Sequence, residues 1–486
     1  MLFNSYLFIF LFLPLAVLGW YGLNALKLYR LSHLFLIGMS LWFYGYFHTG
    51  YLFIICGSIA FNYLVSRFMQ WIPAKPRMKK LILALGICVN IAVIFYFKYF
   101  NFFLGNVSTI LGKSFELKNI VLPLGISFFT FQQISYLVDS YRGETDRYSF
   151  DEYAMFVCFF PQLIAGPIVL QKEMLPQFRN MEKRKIIPQN FSKGMYTFAV
   201  GLFKKVLIAD TFARAVSFGF AAVESLSSME ALLVSFSYTF QLYFDFSGYC
   251  DMATGIGAIF NIELPQNFNS PYKAVSITDF WTRWHMSLTR FLKNYVYIPL
   301  GGNRKGKIRT YINIMAVYLV SGIWHGANWT FIVWGLLHGL LNCMNRLFEK
   351  SWEKLGKVTR WAVTLLLVNM LWVLFRADSI SSAFLFLKKM CGMSDFTVRP
   401  ELYECFHLPE FIFLERIPVL NYLPLHVTGF PLWLFLFGAF FVTLNCHNSM
   451  EKEFKPTVSK SLVSVVLVVW SVLSFSGMST FLYFNF

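Results

Sequence analysis

The chain has 486 residues, of which 57% are hydrophobic and 14% charged, with 57 Phe, 25 Tyr and 13 Trp. A soluble domain carries about 25% charged residues, so a water-soluble enzyme is excluded. The 42 Lys and Arg against 25 Asp and Glu leave a formal charge of +17. In a chain this apolar, that excess points to basic cytoplasmic loops, and nucleic acid is set aside as a partner. The Cys residues at 56, 88, 158, 250, 343, 391, 405 and 446 form no CxxC pair and no Cys/His cluster at zinc spacing, so neither a disulfide framework nor a metal is expected.

Hydrophobic stretches recur from Leu2 to Phe484 without a long polar interval, so residues 1–486 read as a single membrane domain with the lipid bilayer as its solvent. The first stretch, 6–26, has no Lys or Arg before it and no small-residue cleavage site after it, which predicts a retained span rather than a secretory signal. Spans follow near 33–48, 51–66, 81–100 and 119–141. Segment 153–169 contains Pro161, Gly166 and Pro167 and is predicted to be re-entrant, because broken backbone at that depth survives only where protein or a wet cavity satisfies its hydrogen bonds. Further spans are predicted near 194–213, 231–260, 308–323, 328–345, 361–376, 430–445 and 461–476, while 378–391 reads either as a span or as a surface helix. The fold class is therefore all-α: a polytopic membrane helical bundle of about 11 transmembrane helices plus re-entrant and interfacial helices.

Charge orients the bundle. Arg67, Lys75, Arg77, Lys79 and Lys80 fall in a stretch without an acid, and Lys172 to Lys193 and residues 261–310 are also rich in Lys and Arg, so all three are placed in the cytoplasm. Residues 391–429 are mainly acidic and are placed outside, and counting back from Arg67 puts the N-terminus outside as well.

Polar groups stranded among apolar ones are the candidates for chemistry. The strongest group is Ser321-Gly322-Ile323-Trp324-His325-Gly326-Ala327-Asn328-Trp329, between two apolar segments whose outer ends, Arg309 and Arg346, lie in basic stretches. Residues 310–346 then form a helical hairpin with His325 near its tip, roughly 22 Å from the basic side. A histidine there is either a general base or a neutral ring satisfied by one interhelical hydrogen bond, and Gly322 and Gly326 would let another chain or a substrate approach its backbone. A second group, Phe280 to Leu288, sets His285 close to Arg283, Arg290 and Lys293. At helical spacing Arg283, Met286 and Arg290 share a face, as in a helix lying on a membrane surface, where it either anchors the chain or binds an anionic donor. A third group holds Asp245 and Asp251, which either line a polar passage or pair with buried cations to hold helices together, the second being the expected role. Lys204, Lys205, Gln132 and Gln133 invite the same reading, and His338 either supports His325 or packs.

At these motifs the sequence resembles the membrane-bound O-acyltransferase (MBOAT) superfamily, in its bacterial branch that contains the alginate and peptidoglycan O-acetyltransferase membrane subunits and the teichoic-acid D-alanyl transfer protein. The resemblance runs almost end to end. It includes LPLGISFFTFQQISYLVDSYRGE at 122–144, FFPQLIAGPI at 159–168, QLYFDFSGYCDMA at 241–253, WHMSLTRFL at 284–292, YIPLGGNRKG at 297–306 and GIWHGANWTFIVWGLLHG at 322–339. The likeness is greatest to the alginate type, although Lys293-Asn294-Tyr295 stands where that type has Arg-Asp-Tyr. The family's catalytic histidine corresponds by motif to His325 and its second characteristic histidine to His285.

The resemblance implies an O-acyltransferase that moves an acyl group, most simply acetyl, from a cytoplasmic thioester towards an extracytoplasmic cell-envelope or exopolysaccharide acceptor. It sits in the bacterial cytoplasmic (inner) membrane and works with a secreted or membrane-anchored SGNH-hydrolase-like acetyltransferase partner. No tightly bound cofactor is implied; acetyl-CoA or an acyl-carrier thioester is the co-substrate. In that scheme His325 takes the acceptor proton or carries the acyl group as an acyl-histidine or relay, Asn328 or the Trp329 indole stabilises the oxyanion, and Arg283, Arg290 and Lys293 bind the donor's phosphates. The competing readings are a membrane transporter and a non-catalytic scaffold of a polysaccharide-modification complex. The His-centred knot favours chemistry over both.

Overall fold

The structure is a computed structural model that describes residues 1–72, 76–409, 429–448, 451, 453–475 and 481–482. Among these the chain is helical, and its single β-like feature is an isolated bridge between Phe268 and Trp284. The longer helices are α1 (Phe8–Ala25), α2 (Tyr29–Gly45), α3 (Gly50–Trp71), α4 (Pro76–Leu111), α5 (Ile126–Arg142), α6 (Phe150–Cys158) and α7 (Gln171–Arg179). Next comes α8, made of Pro188–Phe203, a wide π turn at Lys204–Ala209 and Asp210–Ala221. It is followed by α9 (Ser228–Ile259), α10 (Ile277–Arg283), α11 (Met286–Leu292), α12 (Lys307–His325), α13 (Trp329–Leu347), α14 (Lys357–Arg376), α15 (Ile380–Gly392), α16 (Phe430–Asn445) and α17 (Val458–Leu473).

Four of these helices, α1, α3, α4 and α14, are long and apolar enough to cross a bilayer by length and composition. The rest are shorter or more polar, and their polar groups are turned onto neighbours. The 32-residue α9 shows why: it starts at a capping box of Ser227 and Glu230 and buries residues on all sides, so it is the central post of the bundle and needs no polar face. Lipid-facing helices are the reverse. Along the span of α3 only 28% of residues are buried, and Phe53, Leu64 and Trp71 point outward.

Several boundaries differ from the hydropathy reading for local reasons. The helix expected from residue 119 begins only at Ile126, after Gly125 at φ 71°, and residues 119–124 run as irregular chain. Segment 378–391 contains α15, whose 13 residues are too short to span and which seals Ala383, Phe386 and Met390 into the protein. The broken stretch after α6 is enclosed from Phe156 to Leu170, and its free backbone donors are met by side chains, Phe160 N–H by Ser40 Oγ at 3.2 Å and Ile168 N–H by Ser287 Oγ at 2.9 Å. Gln133 serves the same end between helices: its Oε1 accepts from Asn62 at 3.0 Å and Tyr153 at 3.2 Å, and its Nε2 donates to Ser58 at 2.9 Å.

Candidate active site

His325 is the last residue of α12. The helix stops there because Gly326 is fully extended and Asn328 caps α13, its Oδ1 accepting from the Thr330 N–H at 3.1 Å. Helices α12 and α13 pack back to back through glycine: a Cβ on Gly335 would lie 2.5 Å from the Tyr318 carbonyl, and one on Gly322 would strike the Phe331 carbonyl. The close approach that Gly322 and Gly326 permit is thus filled by the chain's own α13 and the Phe331 ring rather than by a substrate.

The free carbonyls at the end of α12 are met from α4, where a π turn at Phe95–Tyr99 widens the helix and swings two side chains across. Lys98 Nζ donates to the Trp324 carbonyl at 2.7 Å and to the His325 carbonyl at 3.0 Å, and Tyr99 OH donates to the Ile323 carbonyl at 2.5 Å. The imidazole of His325, 3% exposed, stands edge-on to Trp324, Trp334 and Phe375, with ring centroids 4.9, 5.1 and 5.1 Å away. Two cavities meet at this point. A cavity of about 770 Å³ is walled by Lys98, Asn101, Leu122, Lys205, Asp210, Ser217, Gln241, Asp245, Gly326, Asn328, Arg376 and Asp378 among others, at the end of the helices away from Lys193, Lys307 and Lys357. A pocket of about 30 Å³ reaches His325 and Trp324 beside it and shares Lys98 and Leu122 in its wall.

The second histidine is placed differently from the surface helix expected for its segment. The chain breaks between α10 and α11, and His285 occupies the break at φ 46°, a left-handed conformation that a non-glycine residue rarely adopts. This removes the shared face of Arg283, Met286 and Arg290. His285 is 0% exposed and lies among Phe128, Phe246 and Trp324, at centroid distances of 6.4, 4.8 and 5.9 Å. Trp324 therefore packs against both motif histidines. His338 joins from α13, accepting the Trp281 indole N–H on Nδ1 at 3.2 Å and lying 4.9 Å from Trp334.

The remaining sequence candidates spread outwards from this centre. Arg283 pairs with Asp279 at 2.7 Å, and Arg290 reaches Glu173 with both terminal nitrogens. Lys293 is exposed at the start of a further π turn. The Asn328 side-chain amide donates to the Asp378 carbonyl at 2.9 Å, and the half-exposed Trp329 indole donates to Asn106 Oδ1 at 2.9 Å. The carboxylates of α9 pair with the two lysines of the α8 π turn as their burial demands, Lys204 with Asp251 at 2.6 Å and Lys205 with Asp245 at 2.7 Å, and Lys205 also meets Asp210 of α8 itself at 2.8 Å.

Comparison with known proteins supplies the family. The model of the MBOAT, membrane-bound O-acyltransferase, family matches residues 78–384, which takes in both histidine motifs and every wall of the His325 pocket. The chain belongs to the membrane-bound O-acyltransferase family. It is 41% identical to a peptidoglycan O-acetyltransferase of Helicobacter pylori over 100% of this chain and 98% of that protein. It is 40% identical to a probable alginate O-acetylase AlgI of Pseudomonas aeruginosa over 79% of this chain and 73% of that one. A teichoic acid D-alanyltransferase of Bacillus subtilis is 28% identical over 51% of this chain and 66% of its own length. This O-acyltransferase is accordingly a multi-pass membrane protein.

One charged residue of the His325 pocket has no counterpart among the sequence candidates. Lys98 lies inside a stretch assigned as a plain span, and its signal was its charge, since an ionisable group in mid-span marks a functional site unless something else accounts for it. Its partners follow 226 and 227 positions later and carry no local signature.

Proposed function

We propose that this MBOAT protein is an O-acetyltransferase of the bacterial cytoplasmic membrane. It takes acetyl from a thioester, acetyl-CoA or an acyl-carrier protein, at its basic end, and passes it to a hydroxyl acceptor that enters by the cavity at the opposite end. The observation that carries this reading is the position of His325, at a helix end in a narrow pocket that adjoins a wide polar cavity. A bulky acceptor is accommodated in the cavity, and the apolar ring cage of His325 excludes the water that would hydrolyse the thioester.

In the reaction, the His325 imidazole removes the proton of the acceptor hydroxyl, and the oxygen attacks the thioester carbonyl. The C–S bond then breaks, and the leaving thiolate takes the proton back from the imidazolium. The basic positions at the donor's end, with Arg283, Arg290 and Lys293 among them, supply the field for an anionic carrier, although the carboxylates on Arg283 and Arg290 leave Lys293 the most available of the three. The names of the relatives, peptidoglycan O-acetyltransferase and alginate O-acetylase, support a glycan hydroxyl as the final acceptor. An SGNH-hydrolase-like partner on the outer face would complete delivery to a polymer too large for the cavity.

The test is His325→Ala at wild-type membrane abundance, with envelope O-acetyl content and thioester consumption by the purified protein as readouts. Loss of both is expected. Retained acetylation would remove His325 from the reaction and favour a transporter or scaffold.

A further inference from the structure

On the basic side of the bundle, far from the histidines, α3 ends in a face that no part of the mechanism uses. Leu64, Arg67, Phe68 and Trp71 follow one another at helical spacing and so form one stripe. Three of the four are apolar and open to the surroundings, Leu64 at 65%, Phe68 at 48% and Trp71 at 81% exposure. Across from the stripe, the segment between α5 and α6 brings up Arg147. Together with Gln70 these residues enclose a groove of about 390 Å³.

The groove is held open by specific contacts. Gln70 Nε2 donates to Thr145 Oγ1 at 3.4 Å, which ties the end of α3 to the segment carrying Arg147, and Arg67 donates to Gln70 Oε1 at 3.4 Å while lying over the Tyr63 ring. The Arg147 carbonyl is fixed by Arg179 at 3.3 Å. Among the described residues neither Arg67 nor Arg147 has a carboxylate within ion-pair distance, whereas neighbouring Arg179 is paired with Glu152 at 2.5 Å. The groove thus presents two guanidinium groups beside one amide, and part of its wall is the exposed face of α3, a helix long and apolar enough to span a bilayer.

We propose that this groove is a binding site for an anionic phospholipid of the cytoplasmic leaflet. A guanidinium pair matches a phosphodiester by charge-assisted, bidentate hydrogen bonds. Trp71 sits where indoles favour the headgroup level, and the Leu64 and Phe68 side chains lie along the path of the first acyl chain. Charge complementarity selects the occupant: the stretch from Arg67 through Arg77, Lys79 and Lys80 contains no acid, and basic residues at that depth are drawn to an anionic leaflet. The site is independent of acetyl transfer and holds whichever acceptor the protein serves.

The test uses the full chain in detergent, exchanged against phosphatidylglycerol and phosphatidylcholine, with bound lipid counted by native mass spectrometry. The wild type is expected to retain phosphatidylglycerol in preference to phosphatidylcholine, and the pair Arg67→Gln with Arg147→Gln to weaken that retention by about thirtyfold. Arg304→Gln with Lys305→Gln, two exposed cations elsewhere on the basic side, is expected to leave retention unchanged. Equal retention of both lipids by the wild type, undiminished retention in the Arg67/Arg147 variant, or an equal loss in the Arg304/Lys305 variant would overturn the proposal. So would displacement of the lipid by inorganic phosphate, since the groove would then be an anion site without lipid character. Equal unfolding temperatures for the variants and the wild type confirm that the comparison is made between folded proteins.

Discussion

Replacing Lys98 by methionine keeps the length and bulk of the side chain and removes its three donors. In the protein those donors hold the Trp324 and His325 carbonyls at 2.7 and 3.0 Å, which fixes the last turn of α12 and with it the root of the His325 side chain. A hydrogen bond from a charged donor contributes about 1.5–3 kcal/mol net, so the two together restrain the helix end by about 3–6 kcal/mol. Tyr99 still holds the Ile323 carbonyl in the variant, so α12 keeps its course and the displacement falls on the terminal residue. A shift of about 1 Å in a reacting group costs roughly 100-fold in rate. A fall of about 10- to 100-fold in kcat is therefore expected, with KM for the thioester unchanged because Lys98 is outside the donor's basic end. Lys98→Arg, which keeps a charged donor, is expected to recover part of the loss. The assay is release of free thiol by the purified protein in proteoliposomes, at matched protein amounts. If Lys98→Met leaves kcat within twofold of wild type, or if the whole loss appears in KM, Lys98 does not position His325.

Three further outcomes follow from particular contacts. Gly335→Ala places a methyl 2.5 Å from the Tyr318 carbonyl, so α12 and α13 must part; a destabilisation of about 1–3 kcal/mol is expected, read as a lower unfolding temperature in detergent, and an unshifted transition would refute the packing. His285→Gly removes the imidazole while relieving a backbone held at φ 46°; loss of O-acetyl content at normal membrane abundance is expected, and wild-type acetylation would reduce His285 to a packing residue. At the start of α6, hydrogen bonds from Arg179 and the Ser149 N–H hold the Glu152 carboxyl down at about 2. Its folded value lies below its unfolded one, so the stabilisation is complete above the ordinary carboxylate range and is lost as pH falls towards 2. Glu152→Gln is expected to melt below wild type at pH 7 by an amount that shrinks steadily from pH 5 downwards, and a difference independent of pH would exclude the ion pair as its source.

The hairpin that carries His325 was legible because its signals are local. Two apolar runs, basic outer ends, and a Gly-Ala-Asn turn with a capping residue suffice to set α12, the break and α13 within a few residues. His285 was misplaced by the same kind of reasoning. The run from Trp281 to Arg290 contains no glycine or proline and so reads as one helix, yet a histidine takes the left-handed conformation at the break, where it packs against Phe246 and Trp324. The arginines of that segment divide in the same way. Asp279 is four residues before Arg283 and visible as its partner, while Glu173 is 117 positions from Arg290 and is not. Depth and charge pointed to buried lysine–aspartate pairing, but which lysine meets which aspartate depends on the π turn of α8, an extra residue per turn that hydropathy does not register.

That π turn also bears on why the protein keeps charges inside a membrane at all. Buried ion pairs are poor helix fasteners, since well-packed apolar residues hold as firmly without the desolvation penalty. Here the two adjacent lysines diverge. Lys205, with Asp210 and Asp245, forms wall of the 770 Å³ cavity, whereas Lys204 and Asp251 line a separate pocket of about 20 Å³ with Gln266 and Asn267, towards the basic end. On α9, between Asp245 and Asp251, Phe246 packs on the buried His285 ring, which in turn packs on Trp324. The charges thus mark polar ground at two places along α9, with buried aromatic rings packed beside them. For the acetyl transfer proposed above, that division meets two opposing demands: donor and acceptor must both approach from water, and the membrane must not be opened to ions. Two polar pockets that stay distinct, with transfer of the acyl group alone, satisfy both, and His325, caged by rings in a pocket that shares Lys98 and Leu122 with the wide cavity, is placed to serve that transfer.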